Sequence, residues 1–318
     1  MNDYILSKSL QRAVDIALHL NKPLLLCGEP GTGKTTLARY LAMQYSMTNP
    51  GDYAPFYFEP LVFDTKTTSV ASDLFYSYDA LGRLRDAYIA GEKTGAGDYI
   101  ELRALGKAIA FKHGAASPGI QCIDTIIDFK GGASFSPTPI SSLVLIDEID
   151  KAPRDFPNDI LNEIEKQEFS IKELNVKVPA ANNDAKILVI MTSNNEKNLP
   201  DAFLRRCIYH YIEFPDSQQL DKIIRAHFPA MSVNGTTKVM GIVNTFNELR
   251  KLPLLKKPAT AEFIDWLHIL KRENLLQEAQ EPYESLPLPI KEQLQNSMGL
   301  LFKNNNDILQ VNEALKNM

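Results

Sequence analysis

The chain has 318 residues, a formal net charge of −5 and a pI near 5.6. Hydrophobic residues make up 44%, charged residues 23% and aromatics 9%, which is the balance of a globular protein with core material for one large or two ordinary domains. The net acidity argues against a nucleic-acid binder, which carries a basic stripe, and no apolar run reaches the ~18 residues of a membrane span.

At the N-terminus, charges are scattered among apolar positions. This predicts an amphipathic helix near 7–20, with Leu10, Val14, Ala17 and Leu18 on one face, and not a secretory signal. A cytoplasmic location is the expectation. The run Pro23-Leu24-Leu25-Leu26-Cys27 reads as a buried parallel strand, and a helix follows over about 33–46. Between them stands Gly28-Glu29-Pro30-Gly31-Thr32-Gly33-Lys34-Thr35, a full match to G-x-x-x-x-G-K-[ST], with Thr36 next in line. Glycines let a backbone curl so that its N–H groups face phosphate oxygens, and the helix that follows points its positive end at the same anion. Lys34 is expected to reach the β- and γ-phosphates of ATP, and the Thr35 hydroxyl to ligate Mg²⁺.

A strand is expected over Phe56 to Phe63. Helix-like patterns follow at Leu84–Tyr88 and Leu102–Ile109, joined by a glycine-rich stretch at 91–98. The aromatics Phe75, Tyr76, Tyr78 and Tyr88 in this region could grip an extended chain, although such spacing more often signals core packing. Residues 114–140 are turn-rich and read as a loop.

Leu143-Val144-Leu145-Ile146 is a buried strand that delivers Asp147 and Glu148 at its C-terminal end, where open α/β sheets bind ligands. Asp147 is placed to hold Mg²⁺ through water, and Glu148 to polarise the water that attacks a γ-phosphate. A helix over about 155–167, a hairpin-like stretch at 168–178 and strands at 186–191 and 208–214 complete an α/β pattern. After Pro215 the strand signal disappears, and Asp216 is placed to cap the first of several helices. The expected architecture is an αβα P-loop domain with a parallel sheet over 1–215, followed by a smaller all-α lid over 216–318. Cys27, Cys122 and Cys207 lie far apart with no metal-ligand spacing, and read as reduced thiols.

GEPGTGKT followed by LVLIDEIDKAP resembles the Walker A and Walker B pair of AAA+ ATPases. With DFPNDILNEIE, EFSIKELNVKV and VIMTSNNEKNLPDAFLRRC, it resembles the MoxR branch, over residues 1–215 and more weakly beyond. The resemblance implies an Mg²⁺-dependent ATP hydrolase that forms a hexameric ring. It also implies a client protein to remodel or mature, possible clients including proteins with a von Willebrand factor A domain. Asn194 matches the sensor 1 position, with Asn195 one register away. Arg206 matches the arginine finger that reaches the nucleotide of a neighbouring subunit, and Arg205 beside it is the alternative. The chain departs from the family at sensor 2. Thr260 stands near the expected arginine, and Lys257 is the available substitute. Two other readings stay open on the sequence: a nucleic-acid-directed motor or loader, and a nucleotide-dependent scaffold. GTP in place of ATP is also open.

Overall fold

The computed structural model describes residues 4–89, 95–114, 138–229, 232–233, 236–237, 240–275, 281 and 283–316. The chain divides into two compact units. Ser7–Cys27 and Lys34–Tyr211 form an α/β unit, and Met1–Leu6, Gly28–Gly33 and Ile212–Met318 form a mostly helical one.

The α/β unit begins with α1 (Lys8–Leu20), whose N-cap Ser7 accepts a hydrogen bond from Leu10 N–H and whose buried face is Leu10, Ala13, Val14, Ala17 and Leu18. Then come β1 (Leu24–Gly28), α2 (Lys34–Thr48), β2 (Leu61–Asp64), β3 (Tyr76–Tyr78), α3 (Ala80–Ile89), β4 (Ile100–Leu102) and α4 (Ala104–His113). These are followed by β5 (Ser142–Asp147), α5 (Phe156–Lys166), β6 (Phe169–Ile171), β7 (Val176–Val178), β8 (Ile187–Ser193), α6 (Asp201–Leu204) and β9 (Ile208–Ile212). The main sheet has the order β2-β5-β8-β1-β9. Its β2–β5, β5–β8 and β8–β1 pairs run parallel, and Ile208 N–H donates to the Pro23 carbonyl at 2.8 Å.

Burial explains the composition of these strands. Every residue of β8 is buried, as is every residue of β5 except Asp147 at its end, so both are continuous apolar runs with no alternation. Leu25, Val144, Ile146, Val189 and Met191 face a core that also takes Phe156, Ile160 and Ile164 of α5. Two small antiparallel hairpins stand apart from the main sheet, β3 with β4 and β6 with β7.

In the helical unit, α7 (Ser217–His227) starts with a capping box in which Asp216 accepts from Gln219 N–H at 2.8 Å and Gln219 Oε1 accepts from Asp216 N–H. After it come β10 (Ser232–Val233), β11 (Thr236–Thr237), α8 (Met240–Lys251), α9 (Thr260–Arg272), α10 (Leu288–Asn296) and α11 (Asn305–Lys316). Phe246, Phe263, Trp266 and Leu267 centre its core, and the Phe246 and Phe263 rings stack at 4.1 Å. Asp307 of α11 is buried and accepts from the N–H groups of Leu255 and Lys256, which ties the α8–α9 connection down.

The architecture is thus the expected α/β sheet domain with an all-α region, and three local expectations need correction. The strand expected over Phe56–Phe63 is only Leu61–Asp64, and Phe56 makes an isolated bridge to Ser141. Pro60 has no N–H to give a ladder, so the pairing starts after it. The segment Leu102–Ile109 is not one helix: Ile100–Leu102 pairs with Tyr76–Tyr78, and the helix starts at Ala104. Strand structure does not end at Pro215, because β10 and β11 form a short antiparallel ladder. Of the glycine-rich stretch at 91–98, residues 91–94 lie outside the described residues, as do residues 115–137 of the loop expected at 114–140.

Candidate functional site

The chemistry of the α/β unit gathers at the C-terminal ends of β5 and β8. The parallel register sets Ile146 beside Met191, so Asp147 emerges next to Thr192. Asp147 accepts from Thr35 Oγ1, at 3.0 Å on Oδ2 and 3.3 Å on Oδ1, and also accepts a very short bond from Thr192 Oγ1. Thr192 Oγ1 in turn accepts the Glu148 N–H at 2.8 Å. This bond helps hold Glu148 in the left-handed region at φ 54°, a conformation that costs a non-glycine residue about 1–3 kcal/mol. The turn aims the Glu148 carboxylate at Asn194, whose Nδ2 donates to Oε1 at 3.2 Å, while Lys151 pairs closely with Oε2.

Asp150 braces the same corner. It is buried, and its Oδ2 accepts from the N–H groups of Asn194 at 3.2 Å and Glu196 at 3.0 Å, which fixes the turn after β8. Lys34, the first residue of α2, is also buried. Burial pushes its ammonium below the ordinary lysine value of 10.5, and the nearby carboxylates of Asp147, Asp150 and Glu148 pull the other way. An anion arriving there would meet a buried, poorly solvated cation. Thr36 is exposed on the first turn of α2.

In the helical unit, the loop residues Gly28–Gly33 take a shape that glycine makes possible. Gly31 and Gly33 have φ values of 72° and 86°, in the region that side chains disfavour. Thr32 Oγ1 donates to the Glu29 carbonyl at 2.8 Å, closing the turn around the exposed Pro30. A Cβ at Gly28 would lie 2.6 Å from the Ile212 carbonyl oxygen, so that position has no room for a side chain. Glu29 pairs with Arg250 at 2.6 Å. Lys257 is exposed, and Thr260 is buried as the first residue of α9.

Within the α/β unit the structure therefore brings together Thr35, Asp147, Glu148 and Asn194 and adds Thr192 and Asp150; within the helical unit it joins Arg250 to Glu29. Sequence reasoning singled out none of Thr192, Asp150 and Arg250. Arg205 and Arg206 stand elsewhere, exposed at the end of α6, with no ion pair among the described residues. Asn195 is exposed at φ 59° in the turn. Among the aromatics of 65–118, Phe75 stacks on Phe169 at 5.1 Å and the Tyr76 hydroxyl accepts from Lys172 N–H, so both pack inward. Tyr88 instead is 83% exposed. Cys27 and Cys207 are buried free thiols, and Cys122 lies outside the described residues.

Among the described residues no cluster of three or more His, Cys, Asp or Glu is placed to hold a metal ion. Thr35 and Asp147 do offer a hydroxyl and a carboxylate within hydrogen-bond reach of each other. That is a hard oxygen set of the kind Mg²⁺ shares with water and phosphate oxygens. No helix among the described residues is long and apolar enough to cross a membrane.

A family model described as an AAA domain of the dynein-related subfamily matches residues 23–207. That is more than half of the chain, and the chain belongs to this family. No curated protein matches it. Among solved structures, the crystal structure of the FIGL-1 AAA domain in complex with ADP is similar over 98% of this chain and 88% of that one, at 15% identity and a TM-score of 0.45. The chain is a member of the AAA+ ATPases, with the nucleotide-binding fold of that family.

Proposed function

We propose that this AAA-family chain hydrolyses ATP with Mg²⁺, and that it works as a MoxR-like ring which remodels or matures a separate partner protein. The observation that carries the hydrolytic reading is the linked set Thr35–Asp147–Thr192–Glu148–Asn194 at the ends of two adjacent buried strands. Together with Lys34, the set has the parts phosphoryl transfer to water requires: a cation near the phosphates, an oxygen pair for a metal, a base, and an amide beside it. Lys34 would meet the phosphates, and the N–H groups of Gly28–Gly33 would wrap them. Thr35 and Asp147 would hold Mg²⁺, which when bound neutralises phosphate charge. Glu148 would take the proton of the attacking water, and Asn194 would orient that water or the carboxylate. Lys151 competes for Glu148 and would have to release it.

Ring assembly and the client belong to the MoxR resemblance and to the exposed arginines at the end of α6, which are free to reach another subunit. The test compares wild type with Glu148→Gln for ATP turnover, nucleotide binding and mass with and without ATP. The variant should lose about 10²–10⁴-fold in turnover while still binding nucleotide, because it loses a general base and keeps the phosphate contacts. Unchanged turnover in the variant would remove Glu148 from the chemistry. Negligible turnover by both, with no ATP-dependent assembly, would sink the motor.

A further inference from the structure

We propose that Arg250 is a positioning residue for the phosphate-binding loop. It compensates the Glu29 carboxylate within that loop and ties the loop to α8 and α9, a role that rests on the nucleotide-binding reading above. The guanidinium is held on three sides. One nitrogen meets Glu29 Oε2 at 2.6 Å, another donates a very short bond to the Pro258 carbonyl, and Cζ lies 3.4 Å from the centre of the Phe214 ring. Arg250 is 8% exposed, so a cation has been taken out of water for this contact, which makes sense only when an anion answers it.

The second observation is steric. The Gly31 Cβ position would fall 2.7 Å from Ala259 Cβ and 3.4 Å from Ala261 Cβ, so the loop lies directly on the start of α9. That start is itself fixed, because Ala259 N–H donates to Glu262 Oε2 at 2.7 Å. Charge and close packing thus join the loop to residues more than 200 positions away in the chain, with Glu29 and Arg250 separated by 221.

A carboxylate as the second residue of a phosphate cradle repels the polyanion the cradle is meant to hold. With Arg250 paired to it, the repulsion is cancelled and the loop keeps its open curl. Without Arg250, the Glu29 carboxylate loses this counter-charge beside the phosphates. The loss should be greater for ATP than for ADP, because ATP carries more negative charge. It should appear in KM and nucleotide affinity more than in kcat at saturation, because Arg250 acts through Glu29 and not on the reacting atoms.

The experiment titrates the full chain with a fluorescent ADP analogue and with ATPγS, using wild type, Arg250→Ala, Glu29→Gln, the double variant and Arg250→Lys. Thermal unfolding is followed alongside. Arg250→Ala is expected to weaken binding by about tenfold. Glu29→Gln in the same chain is expected to restore it to within about threefold of wild type, the non-additivity that marks a coupled pair. Arg250→Lys keeps the charge opposite Glu29 and loses the fork that also reaches the Pro258 carbonyl, so its affinity should fall between those of wild type and a Lys34→Ala control. It serves as the reading if Arg250→Ala does not fold. Wild-type affinity in Arg250→Ala would overturn the proposal, as would a loss that Glu29→Gln fails to relieve, or a folded Arg250→Lys that binds as poorly as a Lys34→Ala control. A wild type that binds no better than Lys34→Ala would instead overturn the nucleotide-binding reading, and this role for Arg250 with it.

Discussion

Lys34 is a buried cation at the start of α2, where the proposed function sets it against phosphate. Its ammonium is buried, and burial lowers its proton affinity below that of a solvated lysine. The sign follows directly. Below its depressed pKa the side chain is a cation able to meet phosphate oxygens, and above it the side chain is neutral. Nucleotide affinity should therefore fall as pH rises, and the fall should begin below the ordinary lysine value of 10.5. Arriving phosphates favour the charged form, so binding in that range should take up protons. Fluorescence titrations from about pH 7 to about pH 10, with calorimetry in buffers of different ionisation heat, would show both effects. An affinity flat across that range, with no proton uptake, would mean that Lys34 does not meet the phosphates. The position of Lys34 was legible in the sequence because the phosphate loop is a local pattern. Thr192 was not, because its meeting with Asp147 and Glu148 depends on the β5–β8 register, which joins residues 45 apart. Asp150 was in view as part of the acidic stretch after β5. Its bonds to the turn after β8 become visible only once the strands are adjacent.

Elements were readable where burial imposes one period over many residues. The α1 and α5 stripes and the unbroken apolar runs of β5 and β8 have that character. The hairpin β3–β4 was missed because strands of three residues leave too few positions to show alternation, and Leu102 continues a helix-like pattern into α4. The cap of α7 was readable because it is local, and it carries a prediction of its own. Asp216→Ala removes the acceptor for Gln219 N–H and opens the capping box, which should cost about 1 kcal/mol. The sole tryptophan, Trp266, is buried in the core of the helical unit and donates to Ser297 Oγ at 2.6 Å. Its fluorescence during urea unfolding should move to a lower midpoint in the variant. A midpoint unchanged within error would mean that the cap adds nothing to that unit.

For the whole molecule the question is whether one chain contains a complete catalytic set. Glu148 and Asn194 lie together, whereas Arg205 and Arg206 are exposed at the end of α6 with no ion pair among the described residues. An arginine that serves a neighbour's nucleotide makes a heterologous, head-to-tail interface, and such interfaces form a ring when the rotation between subunits closes. This arrangement predicts complementation. A Glu148→Gln subunit keeps its arginine and lacks its base, and an Arg206→Ala subunit has the reverse. Each variant alone should be inactive, because every interface lacks one group. Mixed in equal amounts and allowed to exchange, about one quarter of the interfaces should pair an intact base with an intact arginine, and turnover should return in that proportion. The same mixture made with Arg205→Ala identifies which arginine crosses, since only the variant of the finger can be complemented. If the arginine instead acts within its own chain, no mixture contains a complete set and turnover stays at zero. Mass measurement of the mixed sample separates that outcome from a failure to assemble, because a ring that forms and remains silent would place every catalytic group in one subunit.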